Sequence, residues 1–201
     1  MDSSAAKIKN LPLLIDTVAI PGVKGLIGIT SCPGMKDEYS CFDHYGDSMA
    51  DDLQAIRNWG ATALITLLDE SELHVLGVKD LPRKAMAFNL LWIHLPIRNL
   101  SIPDEKFDIQ WACAGPRLAQ WLREGQRIVI HCKEGIGRAG LVAARLMIEL
   151  GTPPEQTINS VQKARPGSLQ LYSHEKYCYS LAYDHQAGPG VWQQSHGTCL
   201  K

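Results

Sequence analysis

Two residues in the stretch "VIHCKEGIGRAG" (Val129 to Gly140) could do chemistry together: Cys132 and Arg138, at opposite ends of a short glycine-rich loop. A glycine-rich turn between a buried strand and a helix points successive backbone N–H groups inward, and the helix N-terminus adds partial positive charge. Such a loop binds a phosphate-like dianion. Lys133, Glu134, Gly135, Ile136 and Gly137 supply the amides, Gly135 and Gly137 the backbone freedom of a tight cradle. Arg138 can grip two oxygens through its planar fork. The same field favours thiolate over thiol at Cys132, which makes it a nucleophile aimed at phosphorus. Attack gives a phosphocysteine that water hydrolyses in a second step, with Arg138 and the amides stabilising charge in both. His131 reads as a structural residue that hydrogen-bonds the loop and helps to set the thiolate.

The leaving oxygen needs a proton, so a general acid is required on a neighbouring loop. Asp104, in "SIPDE", follows a strand ending at Ile97, and a parallel sheet brings that strand's C-terminal end to the crevice of the Cys132 loop. Asp104 also reads as a helix N-cap, a role compatible with proton donation. Asp108, four residues on, is the competitor, already inside the helix.

The elements that position these residues alternate between β-rich runs and amphipathic helices, which predicts one α/β domain with a central twisted, mainly parallel sheet flanked by helices. "LIGITSCPG" (Leu26 to Gly34), "ATALITLLDE" (Ala61 to Glu70), "LLWIHLPI" (Leu90 to Ile97) and "RIVIHC" (Arg127 to Cys132) read as strands. A helix capped by Ser48 buries Met49, Leu53 and Ile56 and stops at Gly60. The helix from Phe107 is expected to kink or split at Gly115-Pro116. "GRAGLVAARLMIELG" is a helix, Thr152 with Glu155 a capping box for the next, and Arg165-Pro166-Gly167 its end. A last helix from Leu169 to Tyr183 is expected to bury Leu171, Cys178 and Leu181. Trp59, Trp92, Trp111 and Trp121 read as core, and His94 as a satisfied core histidine. Arg165 is placed behind the phosphate loop. Residues 1–10 are expected to be flexible, 11–185 to form the domain and 186–201 a tail.

The 201 residues are 45% apolar and 20% charged with a formal net charge of -1, ordinary globular values without the basic stripe of a nucleic-acid binder. No signal peptide or apolar span of membrane length is legible, so a cytoplasmic protein without membrane or nucleic-acid partners is expected. Six cysteines (Cys32, Cys41, Cys113, Cys132, Cys178, Cys199) without C-x-x-C pairs suggest no metal site and reduced thiols, and no cofactor is called for.

"HCKEGIGR" resembles the H-C-x5-R signature of cysteine-based protein phosphatases, and the likeness runs from Gly28 to Tyr179. "GITSCPGMKD", "DDLQAIRNWGATALITLLDESEL", "HLPIRNLSIPD" and "ARPGSLQ" are similar to stretches of kinase-associated phosphatases of the cyclin-dependent-kinase-inhibitor type and their bacterial relatives. The resemblance implies that Cys132 is the nucleophile, Arg138 the phosphate clamp and Asp104 the general acid. It also implies a phosphorylated protein as substrate, phosphotyrosine first and phosphoserine or phosphothreonine after it.

The chain departs from the pattern at three places. Many members follow the arginine with Ser or Thr, whose hydroxyl helps the thiolate leave; Ala139 has none, so the second step is expected to be slow and to show as a pre-steady-state burst. Lys133 is similar to the C-K-x-G-K-G-R loop of tensin-homology lipid phosphatases, but Ile136 replaces their second lysine and Glu134 offsets the first. A phosphoinositide or small-molecule substrate therefore ranks second, and a weakly active phosphate-binding module is the remaining alternative. His174 stands where relatives often carry Gln.

Overall fold

Four strands run parallel, β2 (Leu26–Thr30), β3 (Ala61–Thr66), β4 (Leu91–His94) and β5 (Arg127–His131), and β1 (Asp16–Ala19) pairs antiparallel with β2 at one edge. Their order is β1-β2-β5-β3-β4 in a computed structural model that describes residues 13–35 and 48–186. The mainly parallel α/β sheet is as the alternation of elements predicts. β1 was not anticipated; Gly22, at φ 74°, lies in the connection that returns it to β2.

β5 is central, between β2 and β3, and Ile128, Val129 and Ile130 are fully inaccessible. Helices cover both faces, which is why this strand reads as an unbroken apolar run rather than an alternating one. Its side chains still alternate. Ile128 and Ile130 join Ile27, Ile29 and Ile65 in one core, whereas Val129 joins Leu64 in the other. The first core is closed by α4 (Glu105–Arg123), α5 (Gly137–Glu149), α6 (Pro154–Ala164) and α7 (Tyr172–Gln186). The second is closed by α1 (Ser48–Asn58), α2 (Glu70–Val75) and α3 (Leu81–Ala87), with Met49, Leu53 and Ile56 buried as their spacing requires.

Several boundaries differ from the sequence reading, each for a local reason. The run from Ala61 leaves the sheet at Thr66, because Asp69 accepts from the Glu72 N–H and Glu72 reaches back to the Asp69 N–H, a capping box that opens α2. The fourth strand stops at His94, two residues before Pro96. α4 is one continuous helix through Pro116. Packing against β5 and α5 outweighs the lost backbone bond, and Gly115 belongs there because a Cβ would lie 2.5 Å from Trp111 Nε1. Thr152 does not cap α6: Pro153 and Pro154 open that helix, and the Thr152 N–H is spent on the Met147 carbonyl. α7 starts at Tyr172, leaving Leu171 45% exposed and putting His174 in the buried stripe with Cys178 and Leu181.

Of the four tryptophans expected in the core only Trp111 is fully buried; the other three are half-buried at its margin. Cys32, Cys132 and Cys178 are free thiols, but Cys113 is disulfide-bonded, which corrects the expectation of reduced cysteines throughout. Cys41, Cys199, the expected flexible start and, Gln186 apart, the expected tail lie outside the described residues. Among the described residues no helix is long and apolar enough to cross a membrane.

Candidate active site

β5 ends at His131 and α5 begins at Gly137, so Cys132 to Ile136 form the turn between a buried strand and a helix. Cys132 is 3% exposed. The loop is braced from three sides. The Cys32 N–H, just past β2, donates to the Lys133 carbonyl at 3.0 Å. Arg165, at the end of α6, donates one nitrogen to the Glu134 carbonyl and another to Asp16 on β1, each at 2.7 Å. Gly135, at φ 71°, lies so close to β2 that a Cβ would come within 2.4 Å of the Thr30 carbonyl oxygen. Only glycine fits there. Lys133 and Glu134 are exposed, Gly135 is buried, and Ile136 and Gly137 are half-buried.

Arg138 is buried on the first turn of α5 and held from outside the loop. Its two terminal nitrogens donate to the two Glu72 carboxylate oxygens at 2.6 and 2.8 Å, and one of them also donates to the Ile97 carbonyl at 3.0 Å. Guanidinium carries five N–H donors. Three are thus committed, and Nε–H with one terminal N–H remains, a pair spaced for two oxygens of one phosphate. Burial opposes the charge, but Glu72 and the neighbouring Cys132 outweigh it and hold the guanidinium pKa above the ordinary arginine value.

His131 is fully buried and fixed by a chain of bonds. The Trp92 indole, which can only donate, reaches Thr66 Oγ1 at 2.8 Å, and Thr66 Oγ1 lies 2.7 Å from His131 Nε2. The Cys132 carbonyl, 3.3 Å from Nδ1, can only accept, so the ring proton sits on Nδ1 and the threonine hydroxyl donates to Nε2. Burial pushes the ring pKa down to about 4, so the histidine is neutral. It is a structural tie to the loop, as its position suggests. His94 likewise is satisfied, 2.7 Å from the Leu68 carbonyl and stacked on Trp92.

The strand-to-loop path after β4 runs along the same edge: the Leu95 N–H bonds the Thr66 carbonyl and the Ile97 N–H the Leu67 carbonyl. Asp104 follows as the N-cap of α4, accepting from the Phe107 N–H at 3.0 Å while remaining exposed. Asp108, its competitor, is paired instead with Arg145, two turns beyond Arg138 on α5. Arg145 also holds Glu149 and the Tyr177 hydroxyl. Asp108 is therefore part of a clasp between α4, α5 and α7, and Asp104 is the carboxylate left open to solvent.

Ala139 is fully buried and brings a methyl rather than a hydroxyl to the first turn of α5. Cys32 sits beside the loop as a second buried thiol, its pKa pushed up to about 12 by burial, with the charges of Cys132, Asp52 and Glu72 adding to the effect. The sequence reading missed Glu72. The signal that could have found it is the D-x-x-E spacing of Asp69 and Glu72 inside "LLDESEL", which marks a helix start at the C-terminal end of β3.

The chain is 25% identical over 185 residues to cyclin-dependent kinase inhibitor 3 of Rattus norvegicus, covering 90% of this chain and 84% of that protein. The Homo sapiens protein of that name is 27% identical over 159 residues, covering 77% of this chain and 71% of its own length. Among solved structures, kinase associated phosphatase with its catalytic-site cysteine replaced by serine superposes with a TM-score of 0.76 at 22% identity, over 90% of this chain and 99% of that one. Tk-PTP in its active form gives 0.60 at 19% identity, over 84% and 97%. These likenesses establish the fold. Residues 41–152 match the family described as "Tc-R-P: Polymorphic toxin system, DSP-PTPase phosphatase". The chain belongs to that family, and it is a protein-tyrosine/dual-specificity phosphatase.

Proposed function

We propose that the protein hydrolyses phosphotyrosine in a phosphorylated protein through a phosphocysteine at Cys132, and phosphoserine or phosphothreonine less readily. Cys132 attacks phosphorus, the loop amides and Arg138 hold the equatorial oxygens, and Asp104 gives its proton to the leaving oxygen. One observation carries the reading. The guanidinium of Arg138 is anchored by Glu72 and Ile97 through three donors, so the two that remain form a preset fork at the end of the Cys132–Ile136 loop. The exposure of Asp104, against the engagement of Asp108 by Arg145, supports Asp104 as the acid.

Hydrolysis of p-nitrophenyl phosphate and of phosphotyrosyl, phosphothreonyl and inositol-lipid substrates tests this proposal. Activity is expected to vanish in Cys132→Ser and to fall about 10²-fold or more in Asp104→Asn, the share of a positioned general acid. Preference for the inositol lipid over the phosphopeptide would overturn the substrate assignment.

A further inference from the structure

The carboxylate that serves the first step is tied to its helix. Asp104 accepts from the Phe107 N–H at 3.0 Å through its side chain and from the Asp108 N–H at 2.9 Å through its carbonyl, so it goes where the first turn of α4 goes. That turn is held from α5. Arg145 donates one terminal nitrogen to Asp108 and to the Tyr177 hydroxyl, and its Nε to a Glu149 oxygen at 2.9 Å. Its guanidinium carbon lies 5.6 Å from the Phe107 ring centroid and 4.9 Å from that of Trp111, and the two rings stack on each other. The Trp111 indole donates to the same Glu149 oxygen at 2.8 Å. Phe107, Asp108 and Trp111 of α4 thus meet one arginine of α5. Arg145 stands two turns after Arg138 on nearly the same face, about 10 Å along the axis. One helix therefore carries the phosphate clamp at its start and the anchor of the acid's helix further on. The Arg145 side chain is 12% exposed. Taking a guanidinium that far out of water is costly, and apolar side chains of similar volume often pack as stably or better, so stability alone does not call for an arginine here.

We propose that Arg145 is a positioning residue for proton transfer: with Asp108 it sets the first turn of α4 so that the Asp104 carboxyl reaches the leaving oxygen of a phosphate held by Arg138. This rests on the reading of Asp104 as the acid. In the first step the Cys132 thiolate forms the P–S bond as the P–O bond breaks. The bonding pair stays on the leaving oxygen, which takes the Asp104 proton. Arg145 touches neither the substrate nor the reacting atoms. It acts through the placement of α4, and a displacement of about 1 Å at the acid is enough to slow the step.

A series of aryl phosphates from 2,4-dinitrophenyl to phenyl reads proton transfer apart from stability, because dinitrophenolate leaves without a proton and phenolate needs one. Asp108→Ala and Arg145→Met are each expected to lose little kcat/KM at the dinitrophenyl end and about tenfold at the phenyl end. A variant that only lowered the amount of folded enzyme would lose the same factor along the whole series. Asp104→Asn should give a steeper series than either, and in its background neither change should cost anything further. Arg145→Met keeps the Asp108 carboxylate, so a steepened series in that variant separates positioning from proton donation by Asp108. Should Arg145→Met fail to fold, Asp108→Ala alone and combined with Asp104→Asn makes the same comparison. The proposal is overturned if the loss is equal at both ends of the series, if there is none, or if it multiplies with that of Asp104→Asn. A flat series in Asp104→Asn beside a steep one in Asp108→Ala would instead make Asp108 the acid and overturn the reading of Asp104, a result distinct from these.

Discussion

Glu72 and Arg138 form a part-buried pair whose geometry does two jobs: it keeps the cation in the site when no phosphate is bound, and it commits three of the guanidinium donors outside the loop. A charged hydrogen bond of this kind is worth about 1.5–3 kcal/mol. Glu72→Gln, which keeps the shape but loses the charge and one acceptor, should therefore lower kcat/KM on an aryl phosphate by about tenfold or more. Steady-state kinetics read this directly, and an unchanged kcat/KM would show that the pair holds the fold rather than the fork. Arg138 was legible from its spacing to Cys132. Glu72 was not, because it is 66 residues away and meets Arg138 only through the sheet order that sets β3 beside β5.

At the scale of elements, the strand-loop-helix unit from Arg127 to Glu149 was legible because three signals agree there: a continuous apolar run, two glycines and a mostly apolar helical run ended by Gly151. The region after β3 was not, since "TLLDESEL" remains apolar past the last sheet residue and the turn is marked only by Asp69 and Glu72. α4 shows tertiary packing overriding local preference. Gly115-Pro116 reads as a break, yet the helix passes through it with Trp111, Leu118 and Leu122 on the core and the Trp111 indole bonded to Glu149. Glycine in a helix interior ordinarily costs about 1 kcal/mol against alanine. Here the sign should reverse: Gly115→Ala drives its methyl into the Trp111 ring and should lower stability by about 1–3 kcal/mol, the range of overpacked cores. Urea denaturation compares the two proteins, and a more stable alanine variant would contradict the close packing.

For the whole molecule, the buried neutral His131 couples the loop to folding. Its pKa is about 4 in the folded protein against 6.5 for the free side chain. Between those values the unfolded chain binds a proton that the folded one does not, so stability is full above about pH 6.5 and is lost as pH falls towards 4. The loss from this residue is about 3 kcal/mol, and denaturation at stepped pH should show that slope shrinking in His131→Asn. The fold class, the mainly parallel sheet and the phosphate loop were all readable from one chain, because each rests on residues close in sequence. The bonds that complete the site span β1 to the end of α6 and α2 to α5, and those exist only once the sheet order is fixed.

The central claim is that Cys132 carries the phosphoryl group between two chemical steps. Acid quenching of the enzyme during turnover of p-nitrophenyl phosphate, followed by peptide mass spectrometry, should find phosphate on the peptide bearing Cys132, and none in Cys132→Ser. Full turnover by Cys132→Ser, or phosphate found on another residue, would contradict the account.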